Sequence, residues 1–547
     1  MRSLINYILT ACVFFVSSNA LSQESADHTG IFNAYLTTQA GFFIRDSSIG
    51  ARGTPQYDHQ LFGSETWLDA RYSNWGFDFG LRFDLYNNSN LIDPQGSFNK
   101  QGIGRWFIKK EFSSLGFEAG YIYDQVGSGV IFRAYEQRNL GIDNALYGLK
   151  VNYELNPDWR IKVFAGKQKK QFDLYESVIK GFAIDGYLQS KDSVTWSWAP
   201  GLGMTGRTLD DGSMNGVLST ISTYQAADQF LPKYNAYALS FYNQIRIKDW
   251  TLFLETALKS KDILNDPNGV RSSSAGNSII GPKFIYRMGH VYYSSINYSK
   301  PKWGFSIEGK HTKYFGLRTR PQEAGNNGLI HFIPPMARQN SYRLLSFYPA
   351  ATQELSEWAL QGELRFSLIP DWDLTIHHST INTLDHQKLY REFLIESYTQ
   401  KDDHHTLIAG IQLREYNQQV YEGKPNAPIV KTITPYVDFT KQLDDLHSWR
   451  LDIEYMYSRQ DQGSWSNILV EYSIAPRWVF SLSDMYNLKP VSGTRHNYYT
   501  AGLVYNKEAV RAGFSYVRQR AGIVCTGGIC RYEPAFNGIK LSLESRF

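Results

Sequence analysis

The 547-residue chain has a net charge of +4 and 20% charged residues; that balance, without any basic run, excludes a nucleic-acid partner. No apolar stretch in the chain is long enough to cross a bilayer as a helix, so a helical membrane protein is excluded as well. Aromatic residues nonetheless reach 15%, with 37 Tyr, 32 Phe and 13 Trp against 3 Cys, which leaves a protein rich in interface-seeking rings but poor in helical spans.

The N-terminus reads as a secretory signal. Arg2 supplies the positive charge, Leu4 to Val16 is mostly apolar, and Ser17, Ser18, Asn19 and Ala20 follow. Cleavage is expected after Ala20, with Ser22 an acceptable competitor, which makes residues 1–20 a signal peptide and 21–547 the mature chain. Leu9-Thr10-Ala11-Cys12 imitates a lipoprotein box, but the apolar run continues past Cys12, and lipidation would leave that remainder as a greasy tail.

Beyond the signal, apolar residues recur with period two. Phe32, Ala34, Leu36 and Ala40 alternate with polar neighbours, so strands begin at once and no separate plug domain precedes them. From Trp75 to Leu85 every second residue is apolar while Gly76, Asp78, Gly80, Arg82 and Asp84 fill the gaps. A tilted strand of that length matches the hydrocarbon layer of a bilayer. The same design recurs at Tyr147 to Tyr153, Trp159 to Ala165, Tyr237 to Ile247, Trp250 to Leu258, Trp303 to Ile307, Trp358 to Leu368, Trp372 to Ile376, Trp449 to Tyr457 and Tyr499 to Tyr505. Ser177 to Tyr234 is the least regular stretch: Phe182 to Leu188 and Val194 to Trp198 suit a strand pair, and Gly212 to Gln229 suits a loop.

Connections fall into two kinds. Ser73-Asn74, Asn156-Pro157-Asp158, Lys248-Asp249, Ser299 to Lys302, Ile369-Pro370-Asp371 and Ala475-Pro476-Arg477 are short and built from turn-forming residues. Arg45 to Ser64, Tyr86 to Gly102, Ser260 to Lys283 and Lys313 to Glu357 are long and polar. Short turns at one end and long loops at the other, with Trp just inside the short-turn side, are the marks of an all-β fold: a single large antiparallel transmembrane β-barrel of roughly 24 strands, range 20 to 26, with periplasmic turns and extracellular loops. Its expected location is the outer membrane of a Gram-negative cell, reached by secretion through the inner membrane.

The last strand carries Ile539, Leu541 and Leu543 on alternate positions and ends on Phe547, a pattern that resembles the assembly signal read by the outer-membrane barrel assembly machinery; Ser545 departs from it. Ser73 to Gly80, Gly127-Ser128-Gly129 and above all Cys525-Thr526-Gly527-Gly528-Ile529-Cys530-Arg531 resemble an uncharacterised family of outer-membrane barrels from the Bacteroidota. That resemblance implies a barrel and a phylum, and brings no activity with it.

Several motifs have a bland and a sharp reading. With the third Cys in the signal peptide, Cys525 and Cys530 can close a disulfide across an extracellular link, whereas two thiols alone lack the ligands that zinc needs. Gly201-Leu202-Gly203-Met204-Thr205-Gly206 matches a dinucleotide fingerprint in letters but lacks the strand and helix around it that make the motif work. Asp373, Thr375, His377 and Ser379 share one strand face, yet neighbours on one face lie too far apart for a nucleophile and its base, so no enzyme is expected. Asp402-Asp403-His404-His405 reads as a solvated turn before a metal site. No cofactor is expected.

Function then rests on the inward charges. Lys150, Arg160 and Lys162 make one sector basic, while Arg82, Asp84, Glu363, Arg365, Arg450, Asp452 and Glu454 mix signs elsewhere among the candidate pore-lining residues. Two arrangements fit them, a conducting ring and an internal salt-bridge lattice. The leading expectation is a passive, porin-like diffusion pore or uptake channel for small polar solutes, by analogy with the architecture. The alternative is a non-conducting structural or partner-binding barrel within a surface or secretion assembly. Lys313 to Glu357, with Phe332-Ile333-Pro334-Pro335-Met336 as an apolar element, is the loop able to fold inward and block the lumen. Outer-membrane lipid and the assembly machinery are the expected partners, with an unidentified protein partner under the second reading.

Overall fold

The computed structural model describes residues 30–547 apart from 191–194, 280, 403, 492 and 527–528; the signal peptide expected over residues 1–20 lies outside them. One antiparallel sheet contains 25 paired segments, of which Asp173–Gly186 and Leu188–Gln189 are two pieces of a single strand along Trp196–Thr208, so the wall has 24 strands. The cylinder closes where the first strand, Ile31–Phe43, pairs antiparallel with the last, Phe536–Arg546, from Tyr35 opposite Arg546 to Phe43 opposite Gly538. Closure leaves no free edge, which is the condition for a sheet to stand in lipid.

The alternation read from the sequence becomes the two faces of this wall. Leu81, Phe83, Phe241, Ile307, Leu482 and Phe514 lie exposed on the outer face, while Arg82, Asp84, Glu255, Lys310 and Glu454 point inward and are buried. Six strands open at the short-turn end on Trp159, Trp196, Trp250, Trp303, Trp372 or Trp478, the position where an amphipathic ring meets both lipid headgroups and acyl chains.

Boundaries moved in particular places. The first short turn is Trp75-Gly76, one step beyond Ser73-Asn74, because the ladder runs on through Asn74 opposite Phe77 and both turn residues take positive φ, 54° and 73°. The link expected from Tyr86 to Gly102 shrinks to residues 90–97 as strands Phe77–Ser89 and Phe98–Glu111 extend into it. In the irregular stretch, the expected pair becomes Asp173–Gly186 and Trp196–Thr208, and the part expected as loop holds a helix, Asp211–Ile221, whose N-terminus is capped by the Asp210 carboxylate accepting from Ser213 N–H at 2.8 Å. Gly201 to Gly206 lies inside a wall strand paired antiparallel on both sides, and the helix Asp211–Ile221 starts beyond it with Asp210 already capping its N-terminus, so the glycines do not form the turn that would hold a pyrophosphate there.

Candidate functional site

Two long connections turn back into the lumen. Residues 123–145 carry the short hairpins Asp124–Val126 with Phe132–Ala134 and Glu136–Gln137 with Ile142–Asp143. Gly127 and Gly129 let the first hairpin reverse at φ 56° and 99°, and Ser128 N–H donates to the wall residue Glu255 at 3.1 Å. Val130, Ile131 and Phe132 are fully buried against Phe164, Ala238 and Ala257 of the wall. Residues 314–355 do the same on the other side, where Met336, Leu344 and Phe347 pack on Tyr390, Met456 and Trp465. The hydrophobic effect is reason enough for both to leave the aqueous surface.

The two loops meet inside. Arg133 N–H donates to the Ile330 carbonyl at 2.7 Å, Phe332 N–H donates to the Gly129 carbonyl at 2.9 Å, and the Arg133 guanidinium lies 4.2 Å from the Phe332 ring centre. The apolar element Phe332 to Met336 is therefore the middle of an internal plug.

Polar side chains of the wall hold the plug by hydrogen bonds and ion pairs. Glu454 accepts from Arg343 N–H at 2.9 Å, Leu344 N–H at 2.6 Å and Asn467 Nδ2 at 2.9 Å. Lys310 binds Glu357 at 2.7 Å and donates to the Pro334 carbonyl at 2.6 Å, with both charged side chains fully buried. Arg414 donates to the Leu345 carbonyl, Ser379 to the Met336 carbonyl, and Tyr342 to Asp438. Buried charges are tolerable only when paired in this way.

Most of the candidate pore-lining residues fall into this lattice. Lys150 binds Glu118 at 2.8 Å and Asp124 at 3.4 Å, and Lys162 binds Asp124 at 2.9 Å. The basic sector read from the sequence is thus paired out, because the inward loop brings Asp124 to it. Arg82 binds Asp84 at 2.6 Å, Asp143 at 2.8 Å and Glu136. Arg450 forks between Asp438 at 2.8 Å and Glu471 at 2.9 Å, while Asp452, opposite Asp438 in the register, is buried.

Three others remain open to water on the short-turn half. Arg160 is paired with Glu154 yet 60% exposed, Arg365 is paired with Asp373 yet 63% exposed, and Glu363 is 39% exposed. The plug therefore occupies the half of the lumen nearer the long loops and leaves a polar vestibule below it.

The remaining motifs resolve as follows. Cys525 and Cys530 are bonded to each other across the hairpin Gly522–Thr526 with Ile529–Glu533. His377 lies 3.6 Å from Glu392 and 3.7 Å from Glu363, and Ser379 spends its hydroxyl on the plug. Asp402 pairs with His405 at 2.8 Å across a turn. Ile539, Leu541 and Leu543 lie on the outer face of the closing strand, and Phe547 N–H donates to the Ala34 carbonyl at 2.9 Å. Sequence reasoning missed Asp124, Glu136 and Asp143, which lie in a link without periodicity, and also Lys259 and Lys310, which wall alternation could have found.

A closed 24-strand cylinder with a greasy outer belt and a lumen occupied by its own loops defines a plugged transmembrane-type β-barrel. The chain belongs to the family described as "Family of unknown function (DUF6029)", whose model matches residues 1–547. No curated protein matches it in sequence. Among solved structures it is similar to the siderophore receptor PirA from Pseudomonas aeruginosa, at 8% identity and TM-score 0.42 over 96% of this chain and 81% of that one. It is also similar to the translocation pore of the P pilus usher PapC, at 9% identity and TM-score 0.44 over 94% and 99%, and to OccAB3 of Acinetobacter baumannii, at 10% identity and TM-score 0.33 over 68% and 93%.

Proposed function

We propose that this protein is an outer-membrane pore narrowed by its own inward loops, passing small polar solutes passively and carrying out no reaction. The outer belt of apolar and aromatic side chains supports the location, and the pattern ending at Phe547 supports insertion by the barrel assembly machinery. The observation that carries the pore reading is a lumen that stays wet where a sealed barrel would not need it: exposed Arg160, Glu363 and Arg365 line the vestibule. A lumen that conducts must be lined by polar groups that replace lost hydration.

A second reading, a non-conducting barrel that serves a surface or secretion assembly, is favoured by the apolar packing of Val130, Ile131, Met336 and Phe347 across the interior. Planar bilayer recording separates the two. The pore reading expects small, stable unitary steps from the wild type and larger ones once residues 336–348 are deleted. A silent wild type beside a conducting deletion variant overturns it in favour of the sealed barrel.

A further inference from the structure

Plug contact is uneven around the wall. At comparable depth, Arg82, Lys150, Glu255, Lys310, Gln412 and Asp452 are all buried beneath inward loops. Beside the closure the pattern changes. There the strands Trp478–Lys489, Asn497–Lys507, Val510–Gln519, Phe536–Arg546 and Ile31–Phe43 stand side by side, and their inward positions include a run of small or hydroxyl-bearing residues, Ser481, Thr500, Gly502, Gly513, Ser515 and Ser542. None of these is buried, and a cavity of about 520 Å³ runs along them. Lys540 faces the same space with its side chain exposed to water; among the described residues it has no ion-pair partner, and its ammonium lies 4.7 Å from the Phe536 ring centre.

This cavity has a neighbour. A second one of about 480 Å³ lies among the long loops, beside Phe172 and Tyr532, and the two share Leu91 and Arg531 in their linings. At that boundary Arg531 donates from its Nη1 to the Leu91 carbonyl at 3.0 Å and lies 3.6 Å from Glu533. Arg531 immediately follows Cys530 of the disulfide-closed hairpin.

We infer that solutes cross along this seam, from the loop cavity past the Arg531–Leu91 contact, down the serine- and glycine-lined cavity, and into the vestibule. The inference rests on the pore reading above and assigns it a route and a substrate class. Hydroxyl groups along the seam can exchange hydrogen bonds with a neutral, hydroxyl-bearing solute as its water is stripped. Lys540 and Arg531 are set against Glu65 and Glu533 in the lining of the same cavity, so the constriction carries both signs and favours small uncharged polyols over ions of either charge. Arg531, held on a backbone carbonyl where the two cavities meet, stands across the route and serves as its gate.

The test is cysteine accessibility in the full-length mature protein, with the native disulfide kept oxidised. Ser515→Cys and Ser542→Cys are each recorded in bilayers before and after a cationic methanethiosulfonate reagent, with Thr434→Cys, fully buried under the plug, as the control. Modification at 515 and 542 is expected to lower unitary conductance at least about twofold, with no change at 434. Arg531→Ala should raise conductance, and Lys540→Glu should shift the reversal potential toward cations. Proteoliposomes should swell faster in arabinose than in a salt of similar size. A conducting wild type whose current is untouched at 515 and 542 overturns the route and leaves the pore reading standing. Where ions carry no current, the same cysteines are read by arabinose swelling, and a wild type that neither conducts nor swells overturns both.

Discussion

Glu454 is the sharpest test of how the plug is held. Its carboxylate is fully buried and accepts two backbone N–H groups of the inward loop, from Arg343 and Leu344, besides the Asn467 amide. Glu454→Ala leaves the Leu344 N–H buried and the Arg343 N–H partly buried without an acceptor, at about 1–3 kcal/mol for the first and less for the second, or roughly 2–5 kcal/mol in all. Removing a negative charge beside buried Asp452 offsets part of that cost. A net loss of about 3 kcal/mol raises the undocked population of the loop roughly a hundredfold. Hydrogen exchange followed by mass spectrometry on peptides covering 340–348 reads this directly, with the helix Asp211–Ile221 as an internal reference. Glu454→Gln, which keeps one acceptor oxygen, should fall between. Unchanged exchange at 340–348 in a folded Glu454→Ala barrel would refute the claim that these hydrogen bonds seat the plug.

Other expectations follow from the same contacts. Arg82→Met strands the buried Asp84 without its cation and takes one of two cations from the partly buried Asp143 and Glu136, which keep Lys169 and Arg138; about 3–5 kcal/mol of destabilisation is expected, visible as a lower temperature for the shift between folded and unfolded gel mobility. Asp210→Ala removes a helix cap and should cost about 1 kcal/mol locally, read as faster exchange over residues 211–216 with the wall unaffected. In the long-loop segment 44–61, burial pushes the Asp46 carboxyl up, but hydrogen bonds and charge from Arg518 and Ser48 outweigh it and hold the group below its ordinary 3.8. Its contribution is therefore complete above about pH 4 and lost as pH falls through the depressed value; protection of residues 46–51 should persist at pH 5 and fade in stronger acid, and Asp46→Asn should remove that dependence. Non-reducing peptide mapping should recover Cys525 and Cys530 as one linked pair.

The wall was legible because a period of two survives any tertiary context in which one face meets lipid. Trp75 to Leu85 announced its strand, and Trp449 to Tyr457 announced another, since lipid on one side and water or charge on the other leave no freedom in which residues alternate. Turn positions were less fixed: Ser73 and Asn74 favour turns, but the following Trp75-Gly76 pair accepts positive φ and lets one more rung of the ladder form. The helix at Asp211–Ile221 escaped notice because Gly212 and Gly216 weaken its propensity while buried Met214, Val217 and Ile221 supply the stability from packing. For the interior, the alternation located Lys150 with its wall partner Glu118, and Lys162 and Glu454, on the lumen side, but not the partners that the inward loops bring. Asp124, Glu136, Asp143 and the Arg343 and Leu344 amides arrive from connections with no period, and only the greasy run Phe332 to Met336 hinted that such a connection turns inward.

The joining of the first strand to the last sets an order on biogenesis. Tyr35 cannot face Arg546 until the final residues have been made, so the sheet keeps two open edges until its last strand is in place. A chain halted short of that strand would present the unpaired backbone of Ile31–Phe43 and Val510–Gln519 to its surroundings, a template for pairing with other chains that the completed cylinder removes.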